Sequence, residues 1–533
     1  MTNPTDVAAV LTEIQKRDVV ARIWRNDYTV WKPDPEEIVN RLGWLTVTEM
    51  MSEQVSALTS FAEEIRGAGF CRIVLLGMGG ASLGAEVLHQ TFGSAAGYPE
   101  LIVLDSTVPA CVQAVTEAID PAHTLFLVSS KSGSTIETIS LYKYFRHLLE
   151  QTIEAESAGQ NFVAITDSGT PLDKLAQETK FRRVFLNPAD VGGRYSVLSY
   201  FGLVPAALVG INIKRLLERV DNMRGRCVSG VPTKKNPGAW FGATIGALAR
   251  QGRDKLTLVT SPSIGSFGLW LEQLIAENTG KEGKGIIPVV GEPLADSAQY
   301  GEDRLFVCLR LKGDNNSAID IAMEHIKSAG QPVASLELRD RYDLGAEFFR
   351  WEFASAVVGV ILGINPFNQP NVQMAKDTTE GVLQEYQCSG RLPTVESASS
   401  LNSLLAEARP ENYLAIMAYI RQTTEVDEAL TDLRRKVMEK YHIVTTAGYG
   451  PRLLHSTGQL HKGGPNSGLF LQITAEHQKD LPIPGKPYTF GVLADAQALG
   501  DLRTLQSLGR RITRVHLGLG DGMAIRKLTN ELV

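Results

Sequence analysis

The sequence predicts an α/β protein built on mostly parallel sheets, and three observations lead to this prediction. Short apolar runs recur along the chain from residue 72 onwards. Most of these runs are followed by a polar or glycine-containing turn and then by an amphipathic segment. The same alternation begins again near residue 256 and once more near residue 413. This order is typical of βαβ units, in which helices cover both faces of a parallel sheet.

Length and composition narrow the class of protein. A chain of 533 residues is too long for one hydrophobic core, and the usual domain size suggests roughly three or four units. Hydrophobic residues make up 44% of the chain and charged residues 21%, which is ordinary for a globular protein. The net charge of -6 does not favour a nucleic-acid partner, since such a partner requires a basic face.

Cysteine usage and hydropathy indicate a cytoplasmic protein that binds no membrane. The five cysteines are scattered without a CxxC pair, which is typical of reduced thiols. The N-terminus carries acidic residues and no apolar core, so it does not resemble a signal peptide. The most apolar run, Phe353–Phe367, is shorter than the roughly 20 residues that a membrane span needs. It predicts a buried helix.

The chain divides into four predicted regions. Residues 1–65 form a helical segment, with amphipathic patterns at Val7–Arg17, Pro35–Gly43 and Val47–Ile65. Residues 66–223 form the first sheet domain, 224–388 the second, and 389–533 a C-terminal α/β extension. The predicted strands of the first sheet are Arg72–Leu76, Leu101–Leu104, Leu125–Ser129, Phe162–Thr166 and Arg183–Leu186. Those of the second are Leu256–Thr260, Gly285–Val290, Leu305–Leu311 and Val333–Leu338, and those of the extension are Tyr413–Tyr419, Ile443–Ala447, Leu469–Thr474 and Ile512–Leu517.

The strongest functional signal is the segment LVSSKSGSTIET at Leu127–Thr138. A predicted strand runs into a loop rich in hydroxyl side chains, and a predicted helix follows. Hydroxyls and free backbone N–H groups at a helix N-terminus bind anions, because the helix dipole favours negative charge there. One hydroxyl is enough to cap a helix, so this loop predicts a phosphate site.

A glycine-rich segment, LLGMGGASLGAE at Leu75–Glu86, lies at an earlier junction between strand and helix. Gly79 and Gly80 would let a ligand approach the backbone closely. Taken alone, the segment also resembles a dinucleotide-binding loop, and Asp105 after the next strand fits the acidic residue expected on a ribose. A nicotinamide-dependent dehydrogenase is therefore an alternative on this segment alone.

Five ordered segments resemble the signatures of the phosphoglucose isomerase family. The two loops above resemble its first sugar isomerase (SIS) domain. The other three are VGGRYSVLS (Val191–Ser199), LEQLIAENTGKEGKGIIPV (Leu271–Val289) and NPFNQPNVQMAK (Asn365–Lys376). The resemblance implies two SIS-type doubly wound domains. It also implies an enzyme that interconverts D-glucose 6-phosphate and D-fructose 6-phosphate through a cis-enediol, without a cofactor or a metal.

The resemblance also assigns the residues at the reacting carbons. Glu277 would be the base that moves a proton between C1 and C2, and Arg194 would stabilise the negative enediolate. Gln369 and Lys376 would complete the contacts with the phosphate and the ring oxygen. Isomerisation through an enediol needs such a carboxylate, a fixed cation and a distant anchor, and a guanidinium suits the second task.

Hydroxyl groups and glycines would hold the rest of the substrate. The phosphate would be bound by the hydroxyls of the loop, and the glycine-rich turn would lie beside the sugar. In order along the chain these residues are Gly79, Gly80, Ser82, Ser130, Ser132, Thr135 and Thr138. The family's serine directly after the glycines is replaced by Ala81, which is why Ser82 is included.

The group that opens the sugar ring is the main departure from the family. The histidine expected in the segment Ala295–Leu311 is absent, and Asp303 lies near its place. Ring opening needs a proton donor and acceptor, for which an imidazole is well suited. We expect His461, which adjoins a lysine and a glycine, to supply it, with His455 and Asp303 as alternatives.

The two histidines lie in the segment Gly448–Gly468, which resembles the isomerase half of transaldolase–phosphoglucose isomerase fusions. The family's sites are shared between subunits, so the resemblance implies a homodimer. A non-catalytic SIS protein that binds sugar phosphates is the principal alternative, but it could lose Glu277 and Arg194, and both are present. A glucosamine-phosphate synthase would normally carry a leading cysteine, whereas Thr2 follows Met1 here. Use of mannose 6-phosphate is left open.

Overall fold

The computed structural model describes residues 4–295, 299–394 and 400–532. The chain begins with helices α1 (Pro4–Lys16), α2 (Val19–Trp24) and α3 (Val47–Gly67). The prediction of a helix at Pro35–Gly43 is wrong, because this segment forms turns. Glu37 has a φ of 51°, a left-handed conformation that interrupts a right-handed helix, while Ile38 is still fully buried.

The first sheet confirms the predicted α/β class. Its strands run parallel in the order β2-β1-β3-β4-β5, so the order reverses at β1, where ligands bind in doubly wound folds. The elements of this unit are β1 (Arg72–Gly77), α4 (Leu83–Phe92), β2 (Glu100–Leu104), α5 (Pro109–Ala118), β3 (Thr124–Ser129), α6 (Ile136–Glu150), β4 (Phe162–Asp167), α7 (Pro171–Glu178), β5 (Arg183–Asn187), α8 (Tyr200–Leu208) and α9 (Ile213–Arg226).

The second sheet is also parallel, in the order β7-β6-β8-β9. Strand β7 is shorter than predicted and contains Pro288, which is tolerated because the strand lies at the edge. The elements are α10 (Pro237–Arg250), β6 (Lys255–Thr260), α11 (Phe267–Thr279), β7 (Ile287–Val289), β8 (Arg304–Leu311), α12 (Ser317–Ser328), β9 (Val333–Leu338), α13 (Asp343–Leu362) and α14 (Pro370–Ser389).

The C-terminal extension forms a third parallel sheet with the order β11-β10-β12-β13. The pattern of neighbours is the same as in the second sheet. Its elements are α15 (Leu401–Leu405), β10 (Tyr413–Tyr419), α16 (Thr424–Tyr441), β11 (Val444–Tyr449), α17 (Gly458–Gly463), β12 (Gly468–Ala475), α18 (Phe490–Ser507), β13 (Arg511–Leu517) and α19 (Gly522–Asn530). We call this region the third unit.

Helix α13 lies at the centre of the molecule. Nearly every one of its residues is buried, and it packs against α9, α10 and α11, which confirms the buried helix predicted near Phe353. Within the described ranges, no helix has both the length and the apolar character needed to span a bilayer.

Candidate active site

The glycine-rich turn follows β1 and is held in place by close backbone contacts. A Cβ on Gly80 would lie 1.9 Å from the carbonyl oxygen of Gly193, and one on Gly79 would lie 2.6 Å from that of His455. Gly79 also has a φ of 56°, which favours glycine. The turn therefore touches both the segment that carries Arg194, next in sequence to Gly193, and the third unit.

Arg194 is buried, and all three nitrogens of its guanidinium donate hydrogen bonds. Its Nη1 donates to Oε2 of Glu277 at 2.5 Å and to Oε1 of Gln369 at 3.3 Å. Its Nη2 donates to the carbonyls of Pro366 (2.7 Å) and Asn368 (3.1 Å), and its Nε donates to Asn278. These contacts fix the cation between two other segments of the chain.

Glu277 lies in the last turn of α11, with 4% of the residue exposed. One carboxylate oxygen accepts from Arg194, and the other accepts from Nε2 of Gln273 at 3.1 Å. Gln273 lies one turn earlier on the same helix, and its amide is also close to the position that a Cβ of Gly79 would occupy. The structure thus brings together Glu277, Arg194, Gln369 and the glycine turn.

The serine- and threonine-rich loop connects β3 to α6. Thr135 precedes the helix and makes no side-chain cap bond, so the first N–H groups of α6 have no cap from this hydroxyl. The hydroxyl oxygens of Thr135 and Ser130 lie 2.8 Å apart, within hydrogen-bond distance. Ser132 is exposed, and Thr138 is buried, with its hydroxyl unpartnered among the described residues.

A cavity of about 1280 Å³ lies against this loop. Its wall includes Ser132 and Thr135 of the loop and Lys376 of α14. The cavity is also lined by Lys143, Lys174 and Lys486. Hydroxyls, a helix N-terminus and lysines in this arrangement favour an anion.

His455 is the histidine of the third unit that reaches this cavity. It ends a short 3₁₀ turn at Arg452–His455, and its Nε2 lies 2.8 Å from Oε1 of Glu137 in the first turn of α6. Gln497 donates to the same oxygen at 2.6 Å. Burial raises the pKa of Glu137, but the charge and hydrogen bond of His455 outweigh it, and with Lys376 they hold that pKa below its ordinary value.

His461, the residue expected to open the ring, lies elsewhere. It is 4% exposed, its ring packs edge-on against Phe470, and it lines a separate cavity of about 300 Å³. Burial, with Lys462 and Arg510, lowers the pKa of His461 to about 3. The geometry therefore favours His455 over His461.

Of the expected residues, only Ser132, Thr135 and Lys376, with the alternative His455, line the large cavity among the described residues, so Glu277, Arg194 and Gln369 lie off its wall. Asp303 and Ser82 also lie away from it. Asp303 immediately precedes β8 and pairs with Lys255 at 3.2 Å, at the amino end of the second sheet. Ser82 is fully buried and donates its hydroxyl to the carbonyl of Gly79 at 3.2 Å. It stabilises the glycine turn from the inside.

Three polar residues on which the site depends were not predicted from the sequence: Glu137, Gln273 and Asn278. Glu137 lies within the hydroxyl-rich segment, and an acidic residue at the start of an anion-binding helix is unexpected, so it could have signalled a cationic neighbour. Gln273 precedes Glu277 by four residues, the spacing at which helix side chains meet. No local pattern marks Asn278 as a partner of Arg194.

A buried lysine lies on the far side of the same cluster. Lys281 is 1% exposed and donates to both the carbonyl and the side chain of Asn368. Burial, and then the charge of Arg194, lower the pKa of Lys281 well below its ordinary value. Lys281 therefore fixes the segment whose carbonyl also accepts from Arg194.

The fold and the site define an α/β protein with a hydroxyl- and lysine-lined cavity and, apart from its wall, a buried contact between a carboxylate and a guanidinium. Comparisons with known proteins agree. A family model described as phosphoglucose isomerase matches residues 27–282. Over these residues the chain is similar to the phosphoglucose isomerase family.

Curated relatives carry the name glucose-6-phosphate isomerase. One from Staphylococcus saprophyticus is 27% identical over 385 residues, covering 64% of this chain and 86% of the relative. One from Leptospira interrogans is 28% identical over 388 residues, covering 64% and 87%.

Two solved structures share the fold, each with a TM-score of 0.61. A hypothetical protein from Thermus thermophilus is 22% identical and covers 73% of this chain and 98% of its own. A glucose-6-phosphate isomerase from Chlamydia trachomatis is 17% identical and covers 72% and 86%.

Proposed function

We propose that this protein is a glucose-6-phosphate isomerase that acts through a cis-enediol intermediate. The observation that carries the proposal is the buried contact of 2.5 Å between Glu277 and Arg194. It lies beside the glycine turn, and the Ala81 carbonyl of that turn accepts a hydrogen bond of 2.8 Å from Ser129, which precedes the hydroxyl-rich loop. The curated relatives of that name support the same activity.

Glu277 is the base of the proposed reaction. Starting from open-chain fructose 6-phosphate, it takes a proton from C1. The electrons of that bond form the C1–C2 double bond, and the π pair of the C2 carbonyl moves onto O2 to give the enediolate. The same carboxyl then returns a proton to C2, while the hydroxyl proton passes from O1 to O2. A carboxylate held by Gln273 and Arg194 has a fixed orientation, which this double transfer requires.

Arg194 stabilises the negative charge that develops on the enediolate oxygens. Its guanidinium is already fixed by Asn278, Pro366 and Asn368, so it needs no reorganisation when the charge appears. At the other end of the substrate, the N-terminus of α6 and four hydroxyls hold the phosphate, with Lys376 on the same cavity wall. These hydroxyls belong to Ser130, Ser132, Thr135 and Thr138.

His455 opens the sugar ring in this proposal, in place of His461. Because the carboxylate of Glu137 accepts a hydrogen bond from Nε2, the remaining nitrogen, Nδ1, is the one that exchanges a proton with the substrate. Glu137 fixes the tautomer and stabilises the imidazolium that forms, and Gln497 holds Glu137 in turn.

The experiment is a coupled assay of fructose 6-phosphate conversion to glucose 6-phosphate, without added metal. Wild-type protein should turn over, and Glu277→Gln should lose about 10² to 10⁴ in kcat, the usual contribution of a general base. Glu282→Gln is the matched control, since Glu282 is an exposed glutamate nearby that pairs with Lys32. Absence of turnover by the wild-type protein would favour a non-catalytic sugar-phosphate-binding protein.

A further inference from the structure

The third unit contacts the first sheet directly at the site. Arg452 donates to both carboxylate oxygens of Asp105, at 2.6 and 2.8 Å. Asp105 follows β2 and is 4% exposed. A bidentate guanidinium–carboxylate contact fixes orientation as well as distance, so the 3₁₀ turn that carries His455 is held by its first residue.

Glycines in two other segments allow the backbone of the third unit to approach closely, because they have no Cβ. A Cβ on Gly79 would lie 2.6 Å from the carbonyl oxygen of His455, and one on Gly280 would lie 2.4 Å from the Cα of Leu460. Gln459 also donates to the carbonyl of Gly280 at 2.9 Å. Gly280 closely follows Glu277 in the sequence, so the third unit lies against both halves of the site.

Glu137 has two side-chain partners in the third unit. His455 and Gln497 bond the same oxygen, and Glu137 is 2% exposed. Thr107 in turn donates to Gln497 at 2.7 Å. A histidine from another subunit would have to displace this buried network in order to reach Glu137.

We propose that the third unit completes the catalytic site within a single chain, where the family's sites are shared between subunits. Arg452 is the positioning residue of this arrangement, since it acts on His455 through the 3₁₀ turn. The inference rests on the proposed function for the role of His455. It predicts that one chain, alone or within an oligomer, carries a full set of catalytic groups.

Mixing two inactive variants tests the inference. Chains carrying Glu277→Gln are co-expressed in equal amounts with chains carrying His455→Asn, and all chains carry the same tag, so that every dimer is purified together. If each site is built from one chain, the mixture has only the sum of the two residual rates. If the site were shared in a dimer, random pairing would restore about a quarter of the wild-type rate, and that recovery would overturn the inference.

The outcomes separate this inference from the proposed function. A wild-type rate in either single variant rejects the assigned role of that residue, whereas recovery in the mixture rejects only the single-chain site. A second readout needs no activity. An isotope-labelled wild-type chain is mixed with an excess of unlabelled Glu137→Gln chain, and the imidazole signals of the labelled chain are recorded by NMR. The His455 signal should stay at its wild-type position, and a shift would show that the contact is made between chains.

The role of Arg452 is read from kcat and KM separately. Arg452→Met should lower kcat about tenfold or more while the KM for fructose 6-phosphate changes little, because the phosphate loop is untouched. Asp105→Asn should do the same, and the double variant should be no worse than either single one. An unchanged kcat in correctly folded Arg452→Met would refute the positioning role.

Discussion

At the scale of single residues, the two histidines of the third unit show how placement decides function. Both lie among glycines in one short segment of the sequence. His455 lines the large cavity and contacts Glu137, whereas His461 is buried against Phe470 with a pKa of about 3. A neutral, enclosed imidazole is not an effective proton donor near pH 7.

We therefore expect His455→Asn to lower kcat by about 10² or more, the usual effect of losing an acid–base group. His461→Gln should lower the thermal midpoint, because it changes a buried ring, but should keep the wild-type kcat per folded molecule. Steady-state rates and thermal unfolding of both purified variants check this. A large loss of kcat confined to His461→Gln would reverse the assignment.

The hydroxyls of the phosphate loop allow a second test at this scale. Ser132→Ala and Thr135→Ala each remove an uncharged donor to an anion, and hydrogen bonds to charged groups contribute about 1.5–3 kcal/mol. We expect the KM for fructose 6-phosphate to rise roughly tenfold or more in each variant. Inhibition by inorganic phosphate, measured alongside, should weaken in parallel. Failure of phosphate to compete with substrate would contradict the loop assignment.

At the scale of elements, helix α13 holds buried carboxyl groups that titrate with pH. Glu347 is 2% exposed, and one of its oxygens lacks a partner among the described residues. Burial raises its pKa to about 7, although Arg350 lies 3.2 Å away. Because the folded pKa lies above the unfolded value, the stability from this group is full below about pH 4.5 and is lost as pH rises through about 7.

We expect Glu347→Gln to raise the free energy of unfolding, relative to wild type, more at about pH 8 than at about pH 4.5. Each pKa unit corresponds to about 1.36 kcal/mol, so the difference between the two pH values is up to about 3 kcal/mol. Thermal or urea midpoints of variant and wild type at both pH values measure it. Glu53→Gln, at an exposed position on α3, is the control and should show no such change. A pH-independent effect of Glu347→Gln would contradict the assigned titration.

Most strands could be predicted from the sequence because they are short apolar runs. Arg72–Gly77 is almost wholly buried, and Val333–Leu338 alternates buried and exposed residues as a strand with one covered face does. The turns at Pro35–Gly43 could not be predicted, since an amphipathic pattern buries Ile38 whether or not Glu37 is helical. Strand β7 was predicted too long, because pairing at a sheet edge depends on its single neighbour β6.

At the scale of the whole molecule, the site joins segments far apart in sequence. Glu277, Arg194 and Gln369 could be predicted from the motifs that carry them. The contact between Glu137 and His455 could not, because it joins residues 318 positions apart and depends on how the third unit docks. The sequence pattern around the two histidines was therefore not sufficient to choose between His455 and His461.

The central claim is that a single carboxylate, Glu277, moves a proton between the carbons of the substrate. Isomerisation of fructose 6-phosphate in D₂O, followed by NMR of the product, tests it most directly. A carboxyl group exchanges its proton with solvent, so the account predicts deuterium at C2 of glucose 6-phosphate, with the rate of incorporation falling about 10² to 10⁴ in Glu277→Gln. Product formed at the full wild-type rate, with the hydrogen from C1 transferred wholly to C2 and no deuterium there, would indicate a hydride shift and contradict the account.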